Sequence, residues 1–340
     1  MNVNDLHALK IAVLGAGSIG GWLAASLARS GAAVSLAARG STLAALRTGG
    51  LRVRHGTQES TFRLPAAPAS ELGPQDVLVL AVKAHDLPAA LGDLRALIGS
   101  RTTVVAAMNG LPWWFFHNFL GPLENVALES VDPGGRLAAL IAPTQVIGAV
   151  VHASASRLEP GRIQVKAVDR IILGAPSGHA SASLTWLVES LSRAGVRTRE
   201  SRHIRLDVWA KLWGNMNMGP LSALTRATTG RLLDDPQVHA LCLKMMTEMA
   251  ACGARLGLDC ELDPLERIAI TRKLGDFRTS MLQDLESGAA LEYGPLLGAV
   301  VEVAQRLALP APYCEAVLGL IRQLALSLDA QRSAALAPAV

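Results

Sequence analysis

The stretch from Lys10 to Gly40 constrains the fold more than any other part of the chain. It reads KIAVLGAGSIGGWLAASLARSGAAVSLAARG. Ile11 to Leu14 is an apolar run of strand length, Gly15-Ala16-Gly17-Ser18-Ile19-Gly20 is a glycine-rich turn, and helix formers follow to Arg29. Gly31 stops that helix, and Ala33 to Ala37 supplies a second buried strand. The order is a βαβ unit with G-x-G-x-x-G after its first strand, the context that motif needs to carry meaning. Gly15 allows the tight turn, Gly17 lets backbone approach a pyrophosphate, and Gly20 permits close packing of helix on strand. The helix N-terminus adds amide donors and a positive dipole for the phosphates. By itself the motif is equally an ordinary glycine-rich turn; in this order it points to a dinucleotide.

The end of the second strand bears on which dinucleotide. An NAD-binding Rossmann unit places Asp or Glu about 20 residues on, to accept from the ribose hydroxyls. No acid occurs between Leu6 and Gln58, a stretch that holds Lys10, Arg29, Arg39, Arg47, Arg52 and Arg54. Arg39 follows the strand directly, where its guanidinium would meet a 2′-phosphate bidentately. The other reading of Arg39 is a solvated loop residue. The first predicts NADP(H).

Two further apolar runs, Asp76 to Lys83 and Thr103 to Gly110, have the unbroken hydrophobicity of parallel strands covered on both faces. Ligands of open α/β sheets lie beyond the carboxyl ends of the strands, which places Lys83 and Asn109 at the cofactor unless they are plain strand-end turn residues. Val146 to Val151 and Arg162 to Leu173, with Glu159-Pro160-Gly161 between them, predict a hairpin extending the sheet. After Glu200 long helical periods replace β-branched runs. The predicted architecture is therefore an α/β, Rossmann-like doubly wound sheet over residues 1–200, an all-α domain over 201–330, and a frayed tail over 331–340.

Composition narrows the function classes. A length of 340 residues fits one large domain or two ordinary ones. Mean hydropathy is high at +0.31, yet the longest uncharged runs, Thr102 to Leu123 and Leu137 to Ser156, carry Asn, Gln, His and Pro that lipid does not tolerate, so no membrane partner is expected. The N-terminus lacks the pattern of an export signal, and Cys242, Cys252, Cys260 and Cys314 have no CxxC spacing. Both favour a reduced, cytoplasmic setting. A net charge of +4 without a Lys/Arg run gives no reason to expect nucleic acid. No Cys/His cluster has metal-ligand spacing. Only six of the 32 cations are lysines, which singles out any lysine inside an apolar stretch.

One such lysine is Lys211, in HIRLDVWAKLWGNMNMGPLSALT. Read as a helix, Ile204, Val208 and Leu212 form the apolar stripe, while Lys211 and Asn215 share a face. Its ammonium either snorkels to water or is partly desolvated, in which case its pKa falls.

Taken together, GAGSIG, Val82-Lys83-Ala84, Met108-Asn109-Gly110, the Lys211-x-x-x-Asn215 helix followed by Pro220-Leu221-Ser222, and Ser280-Met281-Leu282-Gln283-Asp284 with Glu292 beyond it resemble the ketopantoate reductase (2-dehydropantoate 2-reductase) family in order from about residue 10 to 325. The resemblance implies a Rossmann domain and a helical domain with the active site in the cleft, and NADPH-dependent reduction of ketopantoate, a small 2-oxo acid, to pantoate for pantothenate and coenzyme A synthesis. It implies that Gly15, Ala16, Gly17, Ser18, Ile19 and Gly20 hold the pyrophosphate and Arg39 the 2′-phosphate. Lys83, Asn109 and the backbone near Ser154 would take the rest of the cofactor. Lys211 would be the proton donor, Asn109, Asn215 and Ser280 substrate ligands, and Glu292 the carboxylate beside the nicotinamide ribose and the reacting centre. On spacing alone, Ser280 with Gln283 reads as a capping box and Glu292 as a helix-start carboxylate before Gly294 to Ala308.

Two departures stand out. The family's usual asparagines are replaced by Gly219 and Thr229, which leaves the oxo acid open between ketopantoate and another. Trp113 to Phe116 either wall the pocket for a bulkier acid or pack in a core. Tyr-x-x-x-Lys chemistry is excluded, since Leu297 and Val317 follow the two tyrosines by four. A β-hydroxyacid dehydrogenase shares the domain plan and the Lys-x-x-x-Asn helix but does not explain SMLQD or Glu292, and a non-catalytic NADP-sensing protein is the alternative of another class. The apolar helices after Asp235 cover either their own domain or a partner subunit in a homodimer.

Overall fold

A computed structural model describes residues 9–258 and 263–336. Its first compact unit comprises residues up to Asn118 and Asp132–Asp207, and its second Phe119–Val131 and Val208 onward.

The first unit is built on one mixed sheet. Its strands are β1 (Ile11–Leu14), β2 (Val34–Ala37), β3 (Leu51–His55), β4 (Gln58–Phe62), β5 (Ala66–Ala67), β6 (Val77–Leu80), β7 (Thr103–Ala106), β8 (Val146–Glu159), β9 (Arg162–Gly174) and β10 (Thr198–Glu200). They run in the order β4-β3-β9-β8-β7-β6-β1-β2-β5, with β10 on β9. The run from β5 through β2, β1, β6 and β7 to β8 is parallel. Every residue of β1 and β6 is buried, as strands covered on both faces must be. The predicted hairpin is the antiparallel pair β8–β9. The hairpin β3–β4 was not foreseen: β4 reads QESTF, polar and exposed, and β3 joins the sheet only through β9.

Helices α1 (Ser18–Arg29), α2 (Gly40–Gly49), α3 (Ala69–Leu72), α4 (Leu91–Leu97), α5 (Arg136–Leu140) and α6 (Ala182–Arg193) belong to this unit. The core joins Ile11, Val13, Leu23, Leu27, Leu36, Val79, Ile147, Ile163 and Leu187. Trp113, Trp114, Phe115 and Phe116 are buried too, 3% exposed or less, with the rings of Phe115 and Phe116 edge-on at 5.0 Å. They are core residues. Arg205 fixes this loop by donating to the carbonyls of Phe115, His117 and Pro176.

In the second unit come α7 (Ile204–Thr225, from Val208 on), α8 (Thr229–Asp234), α9 (Pro236–Leu256), α10 (Pro264–Lys273), α11 (Ser280–Glu286), α12 (Ala299–Arg306) and α13 (Pro312–Leu336), with a π-helical turn at Gly294–Gly298 before α12. Met245, Met246, Met249 and Cys252 of α9 are buried, and Trp213 Nε1 of α7 donates to the Met246 carbonyl at 2.9 Å. Residues 119–131, which a single boundary near Ser201 leaves with the first part of the chain, group here. Glu302 of α12 explains why: its carboxylate accepts from the backbone amides of Glu129 at 3.0 Å and Ser130 at 2.8 Å. Burial alone would raise the Glu302 pKa, but those amides, Ser130 and Arg306 hold it below its ordinary value. The tail expected from residue 331 is helical through Leu336, as part of α13; residues 337–340, like Cys260, lie outside the described residues.

Candidate active site

The first unit contributes a cleft of roughly 410 Å³ at the carboxyl ends of β1 and β2, lined by Gly15, Ala16, Gly17, Ala38, Arg39, Thr42, Pro68, Val82, Asp86 and Asp93 among others. Gly15 has φ +101°, a conformation that side chains rarely adopt, and a Cβ there would lie 2.7 Å from the backbone of Ala81 and Val82. A Cβ on Gly20 would come to 2.0 Å from the Gly15 carbonyl oxygen. Both glycines are therefore required for the turn to close against its helix. Gly17 is the N-cap of α1 with no side-chain cap, and nothing lies within 4 Å of where its Cβ would be. The amides of the first helical turn, with Ser18 and Ile19 half-buried, open on free space of the kind a pyrophosphate occupies.

Arg39 stands at the rim as N-cap of α2. The structure changes the electrostatic picture around it. Of the six cations between Leu6 and Gln58, only Arg39 lines the cleft. Arg29 lies over the Phe62 ring, Arg47 pairs with Glu71, Arg52 with Glu159, and Arg54 donates to Gln164. Two acids the sequence reading did not place here, Asp86 and Asp93, join the lining, and Asp93 Oδ2 lies 3.9 Å from Arg39 Nη1. The lining thus carries one cation against two carboxylates. No local signal marks Asp93, because it arrives on α4 from another part of the chain.

Lys83 follows β6 by three residues and Asn109 follows β7 by three, so both stand past carboxyl ends of parallel strands. Both are half-buried. Ser154 is exposed on β8, opposite Ala167 and between two register irregularities. These three lie outside the lining of the cleft.

In the second unit, Lys211, Asn215 and Gly219 recur every four residues along α7, each about 6 Å further along the axis. Burial lowers the Lys211 pKa from 10.5 to about 8, and the carboxylate of Glu292 acts against that fall. Glu292 is itself 7% exposed, an environment where a carboxylate without a charged neighbour is rare. It directly precedes the helical segment that opens with the π-helical turn and runs on as α12, so it also occupies the helix-start position that its spacing suggests. A Cβ on Gly219 would be 3.6 Å from Met281 Cε, so α11 packs on α7 here through Met281, while Ser280 is exposed at the first position of α11. Ser280 is not the cap of that helix. Thr279 is, its hydroxyl accepting from Leu282 N at 3.1 Å, which leaves the Ser280 hydroxyl outside the capping interaction. Thr229 is buried and accepts from Phe277 N at 3.1 Å, holding the loop before α11.

These features match a family. Residues 11–178 fit the model described as ketopantoate reductase PanE/ApbA, and residues 203–325 its C-terminal counterpart. The chain belongs to the ketopantoate reductase family. A curated relative, 2-dehydropantoate 2-reductase of Mesorhizobium japonicum, is 43% identical over 319 residues, 93% of this chain and 98% of that one. A crystal structure from Ralstonia solanacearum, provisionally named a ketopantoate reductase, superposes with a TM-score of 0.90 at 43% identity, covering 94% of this chain and 99% of the other. D-mandelate dehydrogenase, solved with NADH and anilino(oxo)acetate, shares the fold at a TM-score of 0.81 and 22% identity, with 94% and 99% covered. The Rossmann-like plus helical architecture is that of the family, and the chain is an oxidoreductase acting on CH–OH groups. Among the described residues no helix is long and apolar enough to cross a membrane.

Proposed function

We propose that this ketopantoate reductase family member reduces a 2-oxo acid to the 2-hydroxy acid with NADPH, ketopantoate to pantoate being the leading case, in the cytoplasm on the route to pantothenate and coenzyme A. The observation that carries the reading is Lys211. A lysine whose pKa is pulled to about 8 by burial, with Glu292 acting on it, is the group a carbonyl reduction needs, because it is largely protonated at neutral pH and gives up its proton readily.

The cleft fits the cofactor: the clashes of a Cβ at Gly15 and Gly20 define a turn that only glycine allows, and Arg39 offers a fork of donors at its rim. The dinucleotide, when bound, supplies the hydride. The chain's own residues do the rest. Amides at the start of α1 hold the pyrophosphate, Arg39 takes the 2′-phosphate, and Lys83 and Asn109 bind beyond the strand ends. Lys211 donates its Nζ proton to the oxygen that becomes the hydroxyl, stabilising negative charge there as it develops. Asn215 and Ser280 orient the carboxylate and hydroxyl of the acid. Glu292 keeps the ammonium charged and serves the cofactor ribose.

The identity of the acid rests on Gly219 and Thr229. The Thr229 hydroxyl is already engaged by the backbone of the 275–277 loop, and Gly219 offers no side chain. An amide partner lost from the substrate lowers affinity by about 1–3 kcal/mol if the substrate is unchanged, which favours a different 2-oxo acid as the second reading. A panel of 2-oxo acids, with NADPH oxidation followed at fixed enzyme, separates the two. Highest kcat/KM for ketopantoate supports the first, and a much higher value for another acid replaces it.

A further inference from the structure

Asp93 has no part in the reading above, yet it touches the residue on which cofactor choice depends. It stands in the first turn of α4, and its Oδ2 lies 3.9 Å from Arg39 Nη1, with the two side chains 31% and 72% exposed. Both line the cleft that begins at Gly15. The more sheltered partner of the pair is thus the carboxylate, and the guanidinium is the freer one. Asp86, the other acid of the lining, neighbours His85 instead.

We propose that Asp93 sets the margin by which the protein prefers NADPH over NADH, by competing with the 2′-phosphate for Arg39. The inference rests on the reading of Arg39 as the 2′-phosphate ligand. A phosphate taking the guanidinium must displace Asp93 from it, so loss of the Arg39–Asp93 pairing offsets part of the new attraction. A cofactor with a ribose hydroxyl in place of the phosphate makes no such demand on Arg39. Asp93 therefore weakens one cofactor and tolerates the other, although no acid follows the second strand, where one ordinarily marks an NAD site.

The test is binding, which needs no substrate. Dissociation constants of NADPH and NADH are measured by nicotinamide fluorescence for the wild type, Asp93→Asn, Arg39→Ala and the double variant. Asparagine keeps the shape of the side chain, and retained NADH binding reports an intact cleft. The ratio of the NADH to the NADPH constant rises about fivefold in Asp93→Asn, through tighter NADPH, and Asp93→Asn has no further effect once Arg39 is alanine. An unchanged ratio in Asp93→Asn, or the same rise without Arg39, overturns the proposal. A ratio that Arg39→Ala fails to lower overturns the reading of Arg39 itself, a distinguishable result.

Discussion

Replacing Glu292 by glutamine removes a charge and keeps the volume, which isolates what the carboxylate does for Lys211. Burial takes Lys211 from 10.5 to about 8 and Glu292 opposes that fall. With a pKa of about 8, some nine-tenths of the free enzyme carries the proton at pH 7 and about one-tenth at pH 9, whereas an unperturbed lysine is almost wholly protonated at both. If Lys211 is the donor, kcat/KM falls about tenfold between pH 7 and 9. Without Glu292 burial is no longer opposed by that carboxylate, so the midpoint moves below 8 and the decline reaches into the neutral range. The assay is kcat/KM for the best 2-oxo acid from pH 6.5 to 10 at constant ionic strength and saturating NADPH. Any part Glu292 plays in holding the ribose changes the height of the profile, whereas its effect on Lys211 moves the midpoint. A wild-type midpoint near 10.5, or one that stays at 8 in Glu292→Gln, refutes the pairing.

The same shift has a consequence for stability. A lysine that loses its proton more easily folded than unfolded opposes folding while charged, fully below pH 8 and progressively less up to 10.5. Lys211→Met should therefore raise stability at pH 7, by at most about 3 kcal/mol, while removing turnover, and denaturant melts at pH 7 and 10 should show that gain shrinking at the higher pH. Gly20→Ala drives a Cβ to 2.0 Å from the Gly15 carbonyl, so NADPH and NADH affinity should both fall at least tenfold in fluorescence titrations. Arg205→Met strips three carbonyls of their shared donor and should lower stability by about 2–4 kcal/mol without altering the midpoint of the pH profile. Thr229→Val leaves Phe277 N without its hydroxyl acceptor, and should cost about 1–3 kcal/mol in a denaturant melt whichever acid is the substrate.

Features written in local pattern were legible. The bounds of β1 follow from the apolar run, α1 ends at Arg29 before Gly31, and β8–β9 follow from two apolar runs around Pro160-Gly161. Features made by distant partners were not. Strand β4 is polar and becomes a strand by pairing with β3, and residues 119–131 join the helical unit through Glu302. The aromatic run at Trp113 is equally apolar whether it walls a pocket or fills a core, and burial decided it. The cap of α11 falls one residue earlier than the Ser280–Gln283 spacing suggests, on Thr279. In the basic N-terminal stretch, Arg47 and Arg52 pair with Glu71 and Glu159, and Arg29 and Arg54 face Phe62 and Gln164. Of its cations only Arg39 lines the cleft, so the proposed preference for NADPH turns on that one residue, and these pairings come from distant parts of the chain that no local pattern shows.

In the proposed reaction a 2-oxo acid is reduced with NADPH and takes its proton from Lys211. That reaction is tested most directly by comparing wild type and Lys211→Ala in one experiment: NADPH oxidation with ketopantoate and other 2-oxo acids, alongside NADPH binding by fluorescence. Turnover of at least one acid by the wild type is expected, with a fall in kcat of about 100-fold or more in Lys211→Ala and nearly equal NADPH dissociation constants. Folded wild-type protein that binds NADPH and reduces none of the acids, or a Lys211→Ala variant that turns over at the wild-type rate, contradicts it.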